Sequence, residues 1–234
     1  MNFKKFWKAL DSLYEKLLIF VLTMVLLVVS YCMYDAWYLY NNALDDSILK
    51  YKPDGSSDYG ENSPITDGMV AWITIDDTNI DYPVMQGNDN TTYLNTDPFG
   101  EYSLSGSIFL DSRNNPDFTD SYSLIYGHHM EYGKMFGALD DFLYEDYLKS
   151  HTDGTLMIGK NAEKVYALEV FACMKTNAAE EIVFTPGDSA GIRQYLKEHA
   201  KIYETERSER IIGLSTCADG NTADRIIVFC YILE

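Results

Sequence analysis

The chain has 234 residues, with 18 basic against 36 acidic side chains and a net charge of −18 at pH 7. That balance argues against a nucleic-acid role, because phosphate binding needs a concentrated basic surface. With 47% hydrophobic residues and six prolines, the chain has the material for a packed core, and its length suits one folded domain with an appendage. The acidity serves solubility, and an acidic face can also attract a basic partner segment.

Residues 17–34 carry no charge. As a helix that run rises about 27 Å, enough to cross a hydrocarbon core of roughly 30 Å. Lys4, Lys5, Lys8 and Lys16 precede it, partly offset by Asp11 and Glu15, and no basic residue follows until Lys50. The lysine asymmetry puts the N-terminus on the cytoplasmic side. The exit, Tyr31-Cys32-Met33-Tyr34-Asp35-Ala36-Trp37-Tyr38, lacks a small-x-small cleavage site and reads as an interfacial aromatic belt, so a retained anchor is expected rather than a cleaved signal peptide. Residues 36–50 can continue as helix. Residues 51–65, with Pro53, Gly55, Gly60 and Pro64, read as a linker, and the domain is expected to begin near residue 66.

Beyond it the sequence predicts short strands at 69–75, 80–85, 105–110, 121–126, 155–158, 165–174, 210–217 and 225–233. About eight strands separated by Gly, Asn and Asp indicate a mainly β fold, a closed barrel or a sandwich. One segment differs. After Pro186-Gly187, the residues Ile192, Tyr195, Leu196 and His199 fall at helical spacing, so residues 188–200 predict one amphipathic helix with an Asp or Ser cap.

The four cysteines form no disulfide framework and no zinc spacing. Cys32 lies in the apolar run, and Cys173 and Cys230 sit inside strand-like runs, where they read as small buried hydrophobes with a mutual bridge as the alternative. Cys217 alone ends a strand beside polar turn residues. Arg225 opens the next strand, and residues 218–224, with Gly220-Asn221 at their centre, read as the tip of a hairpin. Thiol and guanidinium would then share one end of two paired strands. A base is available in Tyr126-Gly127-His128-His129, just past another predicted strand. The polar stretch 87–101 fails as a calcium loop: a start at Asn88 lacks the leading Asp, and a start at Asp89 puts Thr91 and Tyr93 at ligand positions.

These motifs, in this order, resemble the sortases, and in particular class B sortases, cysteine transpeptidases on the outer face of Gram-positive membranes. Leu214-Ser215-Thr216-Cys217 looks like the family's nucleophile motif, Arg225 matches its arginine and Tyr126-Gly127-His128 its histidine motif. Residues 86–94, 106–114 and Met135-Phe136-Gly137 are also similar to class B segments, and together the resemblance covers roughly residues 65–234. It implies a closed β-barrel of about eight strands with flanking helices, the one at 188–200 beside the substrate groove. The implied division is a cytoplasmic tail (1–16), a transmembrane anchor (17–34), a juxtamembrane helix and linker (35–65) and an extracellular catalytic domain (66–234).

The implied reaction cleaves a C-terminal sorting signal of secreted proteins through a thioester on Cys217, then transfers the protein to a peptidoglycan amine. His128 is the expected acid and base, Arg225 the oxyanion partner, and Asn90, Leu94 and Ser215 the expected substrate contacts. The Gly-His match favours His128 over His129. No cofactor and no required metal are expected. The expected partners are surface proteins with a sorting signal, whose basic tail suits an acidic enzyme, and the cell-wall amine. Ala218 and the short connection from Cys217 to Arg225 depart from the class B pattern. An extracytoplasmic cysteine protease and a non-catalytic anchored binding domain are the competing readings.

Overall fold

The computed structural model describes residues 3–42, 46–55, 63–216 and 223–233. Two compact units emerge, divided at Ala43 and Leu44. The first is a single helix, α1 (Phe3–Asn42), whose stretch Phe6–Trp37 is long and apolar enough to cross a membrane. Its apolar side chains, Leu17 to Tyr34 among them, are exposed, as a membrane-facing helix requires. The helix expected to continue through Lys50 does not do so as one α-helix: residues Asp46–Tyr51 form a separate 3-10 turn.

The second unit is a closed mixed barrel. Its strands are β1 (Met69–Ile75), β2 (Asp81–Met85), β3 (Ile108–Leu110), β4 (Tyr122–Gly127), β5 (Asp153–Ile158), β6 (Lys164–Asn177), β7 (Ile202–Tyr203), β8 (Arg210–Thr216) and β9 (Asp224–Leu233). The order β5-β1-β2-β3-β4-β8-β9-β6 closes through β5–β6 pairing, and the short β7 pairs only with β6. Closure removes the exposed sheet edges that invite aggregation. Two neighbours are parallel, β2 with β3 and β4 with β8; the other pairs are antiparallel. Parallel neighbours need crossover connections. The one between β4 and β8 carries the remaining short helices, α2 (Glu145–Ser150), α3 (Glu181–Phe184) and α4 (Ser189–His199), together with a buried 3-10 segment, Phe136–Leu143.

Alternation explains the long apolar runs. On β9, Val228, Cys230 and Ile232 belong to the large core cluster, while Ile227, Phe229 and Tyr231 belong to a second cluster with Ile192 and Leu196 of α4. A strand covered on both faces reads as continuously hydrophobic. Phe171 stacks on Tyr231 with ring centroids 3.8 Å apart, and each such buried aromatic contributes about 1.5–3 kcal/mol. Asp188 caps α4 by accepting from the Gly191 N–H at 2.9 Å. A third cluster joins Ile48 and Ile65 to Trp72, Met85, Tyr93 and Phe109. Lys52 fastens the same segment by donating to Thr74 Oγ1 at 2.8 Å and to Asp81 at 3.0 Å. The folded unit therefore includes residues upstream of residue 66.

Cys173 and Cys230 are buried, unbridged thiols. Their backbones face Val228 and Val170 across the β6–β9 ladder rather than each other. Burial pushes the Cys173 thiol up to about 12, and Cys230 is raised by the same cause, so both stay protonated and inert.

Candidate active site

Register brings the site together. β4 and β8 run parallel with Gly127 opposite Thr216, so the chain leaves both strands at the same barrel end, with His128 the next residue on one side. β9 returns antiparallel from Asp224, with Ile227 opposite Ser215, which brings Arg225 to that end too. Residues 217–222, including Cys217 and the expected Gly220-Asn221 turn, lie outside the described residues. Cys217 is the residue that follows Thr216 in the chain.

A cavity of about 480 Å³ opens here. His128, Thr216 and Arg225 from the ends of the paired strands line it, together with Asn90, Leu94 and Phe109. Arg113, Tyr126, Ala178 and Phe184 complete the lining. A volume of that size suits an extended peptide segment or a ligand of several dozen atoms.

His128 Nε2 lies 2.8 Å from the Leu94 carbonyl oxygen. A carbonyl only accepts, so Nε2 carries the hydrogen and Nδ1 is the nitrogen left for proton transfer. The His128 carbonyl in turn accepts from the Phe136 N–H at 3.0 Å. His129 lies outside the cavity lining; its Nε2 pairs with Asp140 at 2.9 Å on a half-exposed surface. Ahead of the 3-10 segment, the Met135 N–H donates to Tyr82 Oη at 3.0 Å, and Met135 adopts a positive φ of 51°. That backbone is costly for a residue with a side chain and persists because its surroundings enforce it.

Arg225 is half-buried and donates from Nη1 to the Asp224 carbonyl at 3.1 Å. Thr216 Oγ1 accepts from the Ile226 N–H at 3.1 Å, which pins the end of β8 to the start of β9. Leu94 lines the cavity, and its carbonyl oxygen is the one that holds His128. Asn90 lines the cavity, yet both ends of its amide are engaged: Nδ2 donates to Asp111 at 3.0 Å and Oδ1 accepts from the Ser112 N–H at 2.7 Å. Ser215 is not brought to the cavity surface. It is fully buried, and its hydroxyl donates to the Thr216 carbonyl at 3.2 Å.

Among the lining and supporting residues that carry no role from sequence alone are Asp111, Arg113, Tyr126 and Phe184. The Asp111 side chain has no solvent exposure, and Arg113 grips it with Nε at 2.9 Å and Nη2 at 2.8 Å. Burial pushes the Asp111 carboxyl up, but hydrogen bonds from Arg113 and Tyr126 outweigh it and hold it below the usual range. The Arg113 guanidinium is raised by its hydrogen bond to Asp111. The signal available in the sequence was an Asp-x-Arg pair directly after an apolar strand, but nothing local says that its partners lie far along the chain.

Residues 73–233 match the family model described as the sortase domain. A sortase B of Listeria monocytogenes is 36% identical over 64% of the chain and 62% of its own length. The crystal structure of a class B sortase of Streptococcus pyogenes involved in pilus biogenesis superposes with a TM-score of 0.66 at 35% identity, covering 82% of this chain and 99% of that one. A Staphylococcus aureus sortase B–substrate complex superposes with a TM-score of 0.67 at 30% identity, covering 81% of this chain and 89% of that one.

Proposed function

The chain belongs to the sortase family, within class B, and from that premise we propose that it is the cysteine transpeptidase that cuts a C-terminal sorting signal and joins the protein ahead of the cut to a cell-wall amine. The observation that carries the reading is the parallel register of Gly127 with Thr216, which sets His128 and the strand leading to Cys217 at one end, with His128 and Arg225 lining one cavity.

A free cysteine has a pKa near 8.5, so only a few per cent is thiolate at neutral pH. Arg225 and a protonated His128 both favour the thiolate. The Cys217 thiolate attacks the scissile carbonyl, and negative charge moves to its oxygen, where a guanidinium that never loses its proton is a fitting partner. Collapse breaks the C–N bond, and His128 gives its proton to the departing amine. The protein remains as a thioester. An incoming amine then attacks, loses a proton to His128 and expels the Cys217 thiolate, leaving a new amide. The Leu94 carbonyl supports this cycle by holding the imidazole in one orientation.

The apolar helix within α1 supports a membrane anchor, and the lysine asymmetry supports a cytoplasmic N-terminus with the barrel outside. Secreted proteins bearing a sorting signal and a peptidoglycan amine are the partners. The test is product analysis of sorting-signal peptides cleaved with and without an added oligoglycine or diamino acid amine. A transpeptidase yields a new amide in proportion to amine; release of free acid alone at every amine concentration would make the protein a protease.

A further inference from the structure

Asp111 sits just past β3 with its side chain fully buried, and five hydrogen bonds converge on it. Oδ1 accepts from the Arg113 backbone N–H and from Arg113 Nε, both at 2.9 Å. Oδ2 accepts from Arg113 Nη2 at 2.8 Å, from Tyr126 Oη at 3.0 Å and from Asn90 Nδ2 at 3.0 Å. Its donors come from three separate stretches: the segment after β2, the β3–β4 connection and β4 itself. All three side chains, Asn90, Arg113 and Tyr126, line the cavity. Arg113 Nη2 also donates to the Phe184 carbonyl at 2.7 Å, which ties α3 to the barrel.

Asp111 is buried but the Arg113 side chain is 53% exposed, so the pair carries the cost of desolvating the carboxylate while solvent screens part of the attraction, which makes it a poor device for stability. Its use lies in fixing geometry. A carboxylate that accepts from three cavity side chains orients all three and offsets the Arg113 charge; the donors these bonds do not use are the second Asn90 Nδ2 hydrogen and Arg113 Nη1. Such a wall suits the carbonyl and amide oxygens of an extended, uncharged peptide stretch.

We propose that Asp111 is the positioning residue of the peptide-binding wall, acting through Asn90, Arg113 and Tyr126 to hold the surface that receives the sorting signal. The inference rests on the transpeptidase reading and concerns substrate capture rather than the chemical step. Asn90 is therefore a member of a fixed assembly rather than an independent contact.

The experiment uses the full chain in detergent micelles and, from a defined set of fluorescence-quenched sorting-signal peptides, the one the parent turns over fastest. Parent, Asp111→Asn and the double variant Asp111→Asn with Arg113→Gln are compared for kcat, KM and thermal midpoint. The double variant removes the unpaired guanidinium that the single one leaves, and it carries the test if the single variant does not fold. Both variants are expected to raise KM by about tenfold or more with kcat within about threefold, and the double variant recovers most of the thermal midpoint without recovering KM. A KM within about twofold of the parent in a folded variant, or a KM that recovers together with the midpoint, overturns the inference. A parent that forms no thioester with any peptide of the set overturns the transpeptidase reading, and the inference with it.

Discussion

Gly127 closes β4 and directly precedes His128, and its lack of a side chain is a packing requirement. A Cβ at that position would lie 2.3 Å from Ile108 Cδ1 and 2.8 and 2.9 Å from Phe136 Cδ2 and Cγ, against an optimum of about 3.5–4.0 Å between carbons. The Ile108 tip can swing aside. The Phe136 ring cannot do so easily: it is fully buried, and its own N–H is bonded to the His128 carbonyl. Relief therefore requires the end of β4 and the Phe136 ring to separate by about 1 Å. Overpacking of this kind costs about 1–3 kcal/mol, offset by about 0.4–1 kcal/mol from the stiffer unfolded chain. A displacement of about 1 Å at a catalytic group is enough for a roughly hundredfold loss of rate. Gly127→Ala should thus lower the urea midpoint modestly and lower kcat far more, read by equilibrium unfolding and by initial rates on a quenched sorting peptide. A variant as fast and as stable as the parent would refute the reasoning.

Three further outcomes follow from the site. Arg225→Gln should reduce kcat by about 10²–10³-fold with little change in KM if the guanidinium faces the developing oxyanion; a change confined to KM would assign it to peptide binding. Asp140→Asn should cost about 0.2–1 kcal/mol in an unfolding titration, because His129 and Asp140 are 35% and 47% exposed. Turnover should stay within about threefold, whereas a tenfold loss would move the proton-transfer role toward His129. Asp111 is held below its unfolded value of about 3.9, so its contribution is fully present above that pH and is lost as pH falls through the lower, folded value. The thermal midpoints of parent and Asp111→Asn should differ from pH 5 to 8 and converge below about pH 4; a gap that widens toward acid would contradict the assignment.

The barrel was legible wherever strands are long and hydrophobic. Met69–Ile75 appears with the expected bounds, and Tyr122–Gly127, Arg210–Thr216 and Asp224–Leu233 within one residue at each end. Helix α4 was equally legible, since Ile192 and Leu196 at i and i+4 are the pair it buries. Two-residue β7 carries no period to read, and it exists because the longer β6 offers it a partner. The 3-10 segment Phe136–Leu143 escaped notice for a related reason: its threefold repeat matches neither the helix nor the strand template. Residues 51–65 looked like linker by composition, yet Ile65 is buried and, with Ile48, completes a cluster around Trp72. At the site, the positions of His128, just past one predicted strand, and of Arg225, at the start of another, were readable. Ser215 was not readable, because a hydroxyl two residues from a reactive position looks the same in sequence whether it faces a cavity or the core. The Asp111 assembly was beyond local reading as well, since Asn90 and Tyr126 reach it from 21 and 15 residues away.

Whether Cys217 carries the acyl group is read by intact-mass analysis of the full chain after brief exposure to the sorting-peptide set, with acid quench. The expected result is a covalent adduct equal in mass to the N-terminal peptide fragment, located on Cys217 by fragmentation, absent in Cys217→Ala and discharged by added amine. A folded, unmodified parent after exposure to every peptide, or an adduct that persists in Cys217→Ala, would contradict it.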